Sequence, residues 1–340
     1  MKPRIGVIGY GLMGQLLARI VAEHPEAQLA GVADPVGYRE TCPIGQRVSR
    51  SPEELDVRLY GDYADLLQQE EPTAVVVATP EDVHVEPILR AVEAGCDVFV
   101  EKPIARNLKE ADCIIDGCRE AGRKLMVGYT LRFEPAYIAL KDACAAGKLG
   151  VLRSIYGRRN VNRVEANRLA GRTNVTNYIA VHDIDQMLWY HEGVAVKSVY
   201  AKAIRGRVDE LYGTWDSSWI LFEFVDGAVG IVETGWGVPE NAWVDCKMNI
   251  IGTDGAIALD LVPMNVMSVD NDGWHFPLTR VRTEVNGKIV GALQYEVSHF
   301  IDCLIEDKDP SIDGNEARRS LEIAEAAELS IAEERQVSLG

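Results

Sequence analysis

The chain has 340 residues, 47% of them hydrophobic and 26% charged, and carries a formal net charge of −17. That length exceeds one ordinary core and predicts two domains. The acidic balance argues against a nucleic-acid partner, which it would repel, and no stretch is long and apolar enough to span a membrane.

Residues 4–9, RIGVIG, form an apolar, β-rich run. Gly9-Tyr10-Gly11-Leu12-Met13-Gly14 follows, then LLARIVAEH with apolar residues at helical spacing. A lone GxGxxG is a weak signal, but here a strand precedes it and a helix follows. QLAGVAD (28–34) reads as a second strand ending on Asp34, twenty residues after Gly14. An acidic residue at that spacing can hold the adenosine ribose hydroxyls of a dinucleotide. The three glycines have separate tasks. Gly9 permits a tight turn, Gly11 lets the backbone approach a pyrophosphate, and Gly14 lets helix and strand pack closely. The pyrophosphate then rests on the helix N-terminus. A carboxylate at Asp34 accepts hydrogen bonds from a ribose diol and repels a 2′-phosphate, so NAD is expected over NADP, with Arg39 and Arg47 close enough downstream to soften that preference.

The alternation continues with helix 62–70, strand 74–80, helix 84–95, strand 97–101, helix 107–121 and strand 124–129. Strands this uniformly apolar suit a parallel, doubly wound sheet covered on both faces. Ligands bind such sheets at the carboxyl ends of the strands. Thr79-Pro80 and Glu101-Lys102-Pro103 are two such ends. Charges beside a strand are ordinarily solvated, but this placement puts Lys102 on the same edge as the glycine loop.

From about residue 150 the pattern changes to period-2 strands near 151–160, 197–206, 217–226, 228–236 and 243–252. Asp226-Gly227, Asp254-Gly255, Asp272-Gly273 and Asn286-Gly287 are hairpin-type dipeptides among them. Helices are expected near 135–146, 183–190, 294–306 and 314–335. The fold class is therefore α/β: a Rossmann domain over 1–128, and over 129–340 an α/β domain with a mainly antiparallel sheet. Within the latter, NVTNYIAVHDIDQMLWY (174–190) interrupts the strands and places His182 where a helix begins. The seven cysteines are scattered without CxxC or Cys/His spacing, so no metal site is expected, and reduced thiols in a cytoplasmic protein fit best.

GVIGYGLMG, Asp34, ATPEDVH (78–84), VFVEKPIA (98–105), GYTLRFEP (128–135) and AVHDIDQMLW (180–189) occur in the order seen in one family. In these motifs the chain resembles, over essentially its whole length, the glucose–fructose oxidoreductase, inositol dehydrogenase and MocA family (Gfo/Idh/MocA). The resemblance implies a nicotinamide cofactor, a substrate that is a sugar, inositol or related polyol, and an open second sheet that forms the face of a homodimer or homotetramer. By motif match it makes Lys102 the lysine near substrate and nicotinamide, with a cis bond common at the Lys-Pro step, and His182 the acid/base. Thr79, Pro80, His84 and Glu101 match positions that line the cofactor. The inositol dehydrogenase pattern has an aspartate four residues before the histidine, where this chain has Tyr178. The resulting expectation is reversible oxidation of a secondary carbinol with Lys102 and His182 at the reacting oxygen and Tyr178 orienting, contacting or relaying. Asn162, Arg163 and Asn177 are further substrate-binding candidates, since polar side chains suit a polyol. Two alternatives use the same features: an NAD-cycling glycosidase that oxidises transiently and eliminates, and a non-catalytic dinucleotide-binding regulator, against which retention of both Lys102 and His182 argues.

Overall fold

Short apolar strands linked by helices give the N-terminal part of the chain a six-stranded sheet. The computed structural model describes residues 2–40, 49–240, 244–261, 268–270, 273–275 and 282–340. In chain order come β1 (Arg4–Ile8), α1 (Leu12–Glu23), β2 (Gln28–Ala33), β3 (Leu59–Tyr60), α2 (Tyr63–Glu70), β4 (Ala74–Val77), α3 (Val85–Glu93), β5 (Asp97–Glu101), α4 (Leu108–Glu120) and β6 (Leu125–Gly128). The order across the sheet is β3-β2-β1-β4-β5-β6, and every pairing is parallel. This is the doubly wound Rossmann order, whose ligand crevice lies where the order reverses, between β1 and β4. β4 and β6 are buried throughout, which explains their unbroken apolar sequences, AVVV and LMVG.

The second stretch contributes α5 (Pro135–Ala145), β7 (Leu152–Asn162), α6 (Arg163–Leu169), a π-helical turn (Thr176–Ala180), α7 (Val181–Tyr190), β8 (Val196–Ile204), α8 (Arg207–Tyr212), β9 (Ser217–Phe224), β10 (Val229–Val238), β11 (Asp245–Gly252) and β12 (Ala256–Asp260). The strands form a sheet ordered β12-β11-β7-β10-β9-β8, with the C-terminal β17 (Val337–Ser338) at its far edge. All its pairings are antiparallel except β7 with β10. Side chains alternate between a buried and an outward face, as on β9, where Ser218, Ile220, Phe222 and Phe224 point inward. Gly157 on β7 gives α7 its seat: a Cβ there would lie 2.8 Å from Met187 Cε and 3.3 Å from Asp183 Cβ.

Two short hairpins follow, β13 (Ser268–Asp270) with β14 (Gly273–His275), and β15 (Thr283–Val285) with β16 (Lys288–Val290). Asn286 and Gly287, at φ 51° and 78°, make the expected two-residue turn of the latter. Asp272, Arg47 and Trp243 lie outside the described residues. The last helices are α9 (Ala292–Glu306) and α10 (Gly314–Glu333). Compactness divides the chain into one unit of Met1–Phe133 with Arg280–Arg318 and another of Glu134–Thr279 with Arg319–Gly340. In the first, α1 and α9 share one core with the sheet, and Phe300 meets Phe99 edge-on at 5.7 Å between ring centroids.

His182 lies in the first turn of α7, where a helix was expected to begin, but a π-helical turn runs directly into that helix and extends the helical run back to Val175. Asp183 and Asp185 of α7 are fully buried.

Candidate functional site

Gly9 leaves β1 with φ 90°, a left-handed conformation, and a Cβ there would meet Thr79 N at 2.7 Å and the Ala78 carbonyl at 2.8 Å. At Gly14 a Cβ would sit 1.8 Å from the Gly9 carbonyl oxygen. Gly9 is therefore required by the close approach of the turn to the chain after β4, and Gly14 by the packing of α1 on the turn. Gly11 is different: its φ of −72° suits any residue, and a Cβ would meet nothing within 4 Å. It keeps bare backbone beside open space at the N-terminus of α1, which no side chain caps. The first-turn N–H groups there, those of Leu12 and Met13 included, form the anion-favouring end of the helix. These residues fit a dinucleotide pyrophosphate.

Asp34 follows β2. Its two carboxylate oxygens accept from the Tyr10 N–H at 2.7 Å and the Val36 N–H at 2.8 Å. Each oxygen retains a further lone pair. The carboxylate thus ties the end of β2 to the glycine loop and can still accept from a ribose diol.

At the end of β4, the buried Thr79 hydroxyl has no hydrogen-bond partner, and the exposed Pro80 starts the turn that follows. His84 is buried, with Nε2 3.0 Å from the Thr79 carbonyl and Nδ1 3.0 Å from the Ile104 carbonyl. Burial holds its pKa below the usual imidazole value, against the pull of those carbonyls. Each ring nitrogen faces a carbonyl and the single N–H of the neutral ring donates to one of them, so His84 packs between the loops after β4 and β5. Glu101 ends β5, buried, and the Lys102–Pro103 bond that follows is cis. Burial pushes the Glu101 carboxyl up to about 7, against the opposing charges of Lys102 and Arg282.

Two residues beside this edge escaped the sequence reading. Arg282 reaches the Met13 thioether at 3.8 Å and acts on Glu101, yet it lies in a stretch without periodicity that would flag it. Glu296 sits on α9 between the core residues Leu293, Val297 and Phe300. A carboxyl at core-facing helical spacing was a signal available in the sequence.

In the second unit, Asn177, Tyr178 and His182 share one helical run, and Asn162 and Arg163 stand at the junction of β7 and α6. π-helical turns are rare and occur frequently at functional sites. Arg168 of α6 donates to the Tyr178 hydroxyl oxygen at 2.6 Å. α6, the π turn and β10 share a small core of Ala166, Leu169, Val175, Ile179 and Trp236. The Asn177 N–H donates to Asn174 Oδ1 at 3.0 Å, while Arg163 comes only within 4.0 Å of Glu240. Next to His182 in the chain, the buried Asp183 forms a two-point ion pair with the buried Arg159 at 2.8 and 3.1 Å, and Arg159 also donates to the Tyr137 hydroxyl at 2.9 Å. This network pins α7 to β7. Among the described residues, no group of three or more His, Cys, Asp or Glu side chains is placed to hold a metal, and no helix is long and apolar enough to cross a membrane.

Comparison with known proteins gives both parts of the chain relatives. Residues 3–129 match the model of an oxidoreductase family with an NAD-binding Rossmann fold, and residues 137–258 match the GFO/IDH/MocA C-terminal domain. The chain is 28% identical over 332 residues to the scyllo-inositol 2-dehydrogenase (NAD(+)) of Bacillus subtilis, covering 95% of this chain and 92% of that protein. It is 25% identical over 370 residues to the 2,7-anhydro-N-acetylneuraminate hydratase of Mediterraneibacter gnavus, covering 98% and 96%. Its fold matches the scyllo-inositol dehydrogenase of Lactobacillus casei with bound NAD(H) and scyllo-inositol at a TM-score of 0.81 and 20% identity, over 99% of each chain.

Proposed function

The chain belongs to the GFO/IDH/MocA family of oxidoreductases with an NAD-binding Rossmann fold, and from that premise we propose that it transfers a hydride between NAD and a secondary carbinol of a sugar, inositol or related polyol. The observation that carries the reading is the glycine loop with Asp34, in which Gly11 alone is spared by the fold and faces open space. The names of the Bacillus subtilis and Lactobacillus casei relatives support the polyol. Asp34 favours NAD over NADP because a carboxylate repels a 2′-phosphate. Cofactor binding is assigned to the first unit, with Gly9, Gly11, Leu12, Met13, Gly14, Asp34, Thr79, Pro80, Glu101 and Lys102 along it and His84 bracing it. Self-association and, apart from Lys102, substrate binding are assigned to the second.

When bound, NAD supplies the hydride acceptor. His182 takes the hydroxyl proton on a neutral ring nitrogen, a step worth about 10²–10⁴-fold in rate. Lys102 donates to the same oxygen and stabilises its developing negative charge. Tyr178, whose oxygen accepts from Arg168, keeps its own proton for a substrate hydroxyl or for relay. Asn162, Arg163 and Asn177 offer polar contacts to the remaining hydroxyls. The test is His182→Ala and Lys102→Ala with NAD binding measured separately. Turnover is expected to fall about 10²–10⁴-fold for His182→Ala with NAD affinity kept. Turnover that survives either substitution removes the role given to that residue.

A second reading keeps these residues but returns the hydride after eliminating a substituent, as an NAD-cycling glycosidase does. Similarity to a protein named a hydratase favours retaining it. Such an enzyme accumulates no NADH, whereas a dehydrogenase does. A homodimer or homotetramer through the second sheet is supported by the outward row of Tyr200, Leu221 and Ile231, which are cross-strand neighbours on β8, β9 and β10.

A further inference from the structure

Two buried carboxyl groups of the first unit, one of them next to Lys102 in the chain, each have an oxygen without a hydrogen-bond partner. Glu101 closes β5 and Glu296 lies on α9, at 8% and 0% exposure, both in the first unit. Glu101 is in register with Gly128 on β6, and two residues further on the Thr130 hydroxyl donates to Glu296 Oε2 at 2.8 Å. In both carboxyls Oε1 is buried and has no hydrogen-bond partner. Two buried carboxyls close enough to act on each other's charge do not both ionise. A single proton answers both orphaned oxygens, since a protonated carboxyl becomes a donor and the other remains an acceptor.

We propose that Glu101 and Glu296 share one proton and act as a positioning pair for Lys102, leaving one net negative charge beside its ammonium. The electrostatics agree. Burial and then the charge of Glu101 raise the Glu296 carboxyl well above its usual range, against the Thr130 hydrogen bond. Lys102 and Arg282 face Glu101 and hold it lower. Glu296 therefore keeps the proton and Glu101 the charge. The positioning role rests on the function assigned to Lys102 above; the shared proton does not.

The test is infrared spectroscopy of the full chain, isotopically labelled at glutamate carboxyls. It is carried out in a Glu328→Gln background, because burial raises that carboxyl too. At neutral pH a protonated glutamate band is expected, lost in Glu296→Gln and shifted in Glu101→Gln. Its absence overturns the pair, and so does a band identical with and without Glu296. Should Glu296→Gln fail to fold, titration of the Glu328→Gln protein alone decides: persistence of the band above the ordinary carboxylate range supports the pair, and its loss within that range overturns it. Positioning is read from the basic limb of kcat/KM against pH with any polyol that is turned over. Glu101→Gln deprives the ammonium of its anionic neighbour and is expected to move that limb to lower pH; an unmoved limb removes the positioning role. If no polyol is oxidised, the assigned function fails while the infrared result still decides the pair.

Discussion

At Gly14 an added methyl would collide with the Gly9 carbonyl oxygen at 1.8 Å, whereas at Gly11 it would meet nothing within 4 Å. The two substitutions should therefore part company. Gly14→Ala is expected to lower the Tm sharply or prevent folding. Gly11→Ala should fold with an unchanged Tm yet weaken NAD binding by about tenfold or more, roughly 1.4 kcal/mol, if the pyrophosphate lies where proposed. Calorimetric titration with NAD beside a melting curve distinguishes the two, and unimpaired NAD binding by Gly11→Ala would count against the cradle. The buried glutamates make a second residue-scale prediction. Both carboxyls are raised above the ordinary value of 4.5, Glu101 to about 7, so the folded state holds more protons than the unfolded state between those pH values. Their stabilising contribution is full below about pH 4.5 and is lost as pH rises above it, for Glu101 through about 7. Glu296→Gln cannot ionise, so its Tm should fall less than that of the unsubstituted protein between about pH 5 and about pH 8. Parallel Tm profiles by scanning calorimetry would contradict this.

α7 and the π-helical turn before it depend on a buried charge. Arg159 has its guanidinium committed to Asp183 and Tyr137 in the interior of the second unit. Asp183→Asn leaves that guanidinium without its counter-charge and should cost about 3–5 kcal/mol, read as a lower denaturant midpoint. A loss below about 1 kcal/mol would mean the pair is not what pins α7. This network also marks where the sequence stops being informative. The β1–loop–α1–β2 unit was legible because glycine spacing, strand composition and Asp34 agree with one another, and the hairpin at Asn286-Gly287 because its dipeptide fits the left-handed pair it adopts. The helical start at Val175 was not legible: NVTNYI has β-branched and polar residues that favour neither a strand nor a helix, and only packing against α6 and β10 settles it. The apolar stripe of α9 announces a buried helix, but nothing in it says that the face it covers is the strand ending at Glu101. Glu296 and Arg282 come beside Glu101 only through that tertiary choice.

Over the whole molecule, the outward face of the second sheet exposes large apolar side chains, including Tyr200 at 45% and Trp219 and Leu221 at 44%. If this face forms the proposed interface, Leu221→Lys should shift the protein toward monomer in sedimentation equilibrium without loss of NAD binding. An unshifted molecular mass would place self-association elsewhere or remove it. The account as a whole stands on hydride transfer to NAD from a carbinol. The most direct measurement is absorbance of NADH during incubation with a panel of inositols, sugars and sugar acids, each with NAD and with NADP. The account predicts accumulation of NADH with at least one polyol, faster with NAD than with NADP. Conversion of a substrate with no NADH accumulating, or a clear preference for NADP, would contradict it.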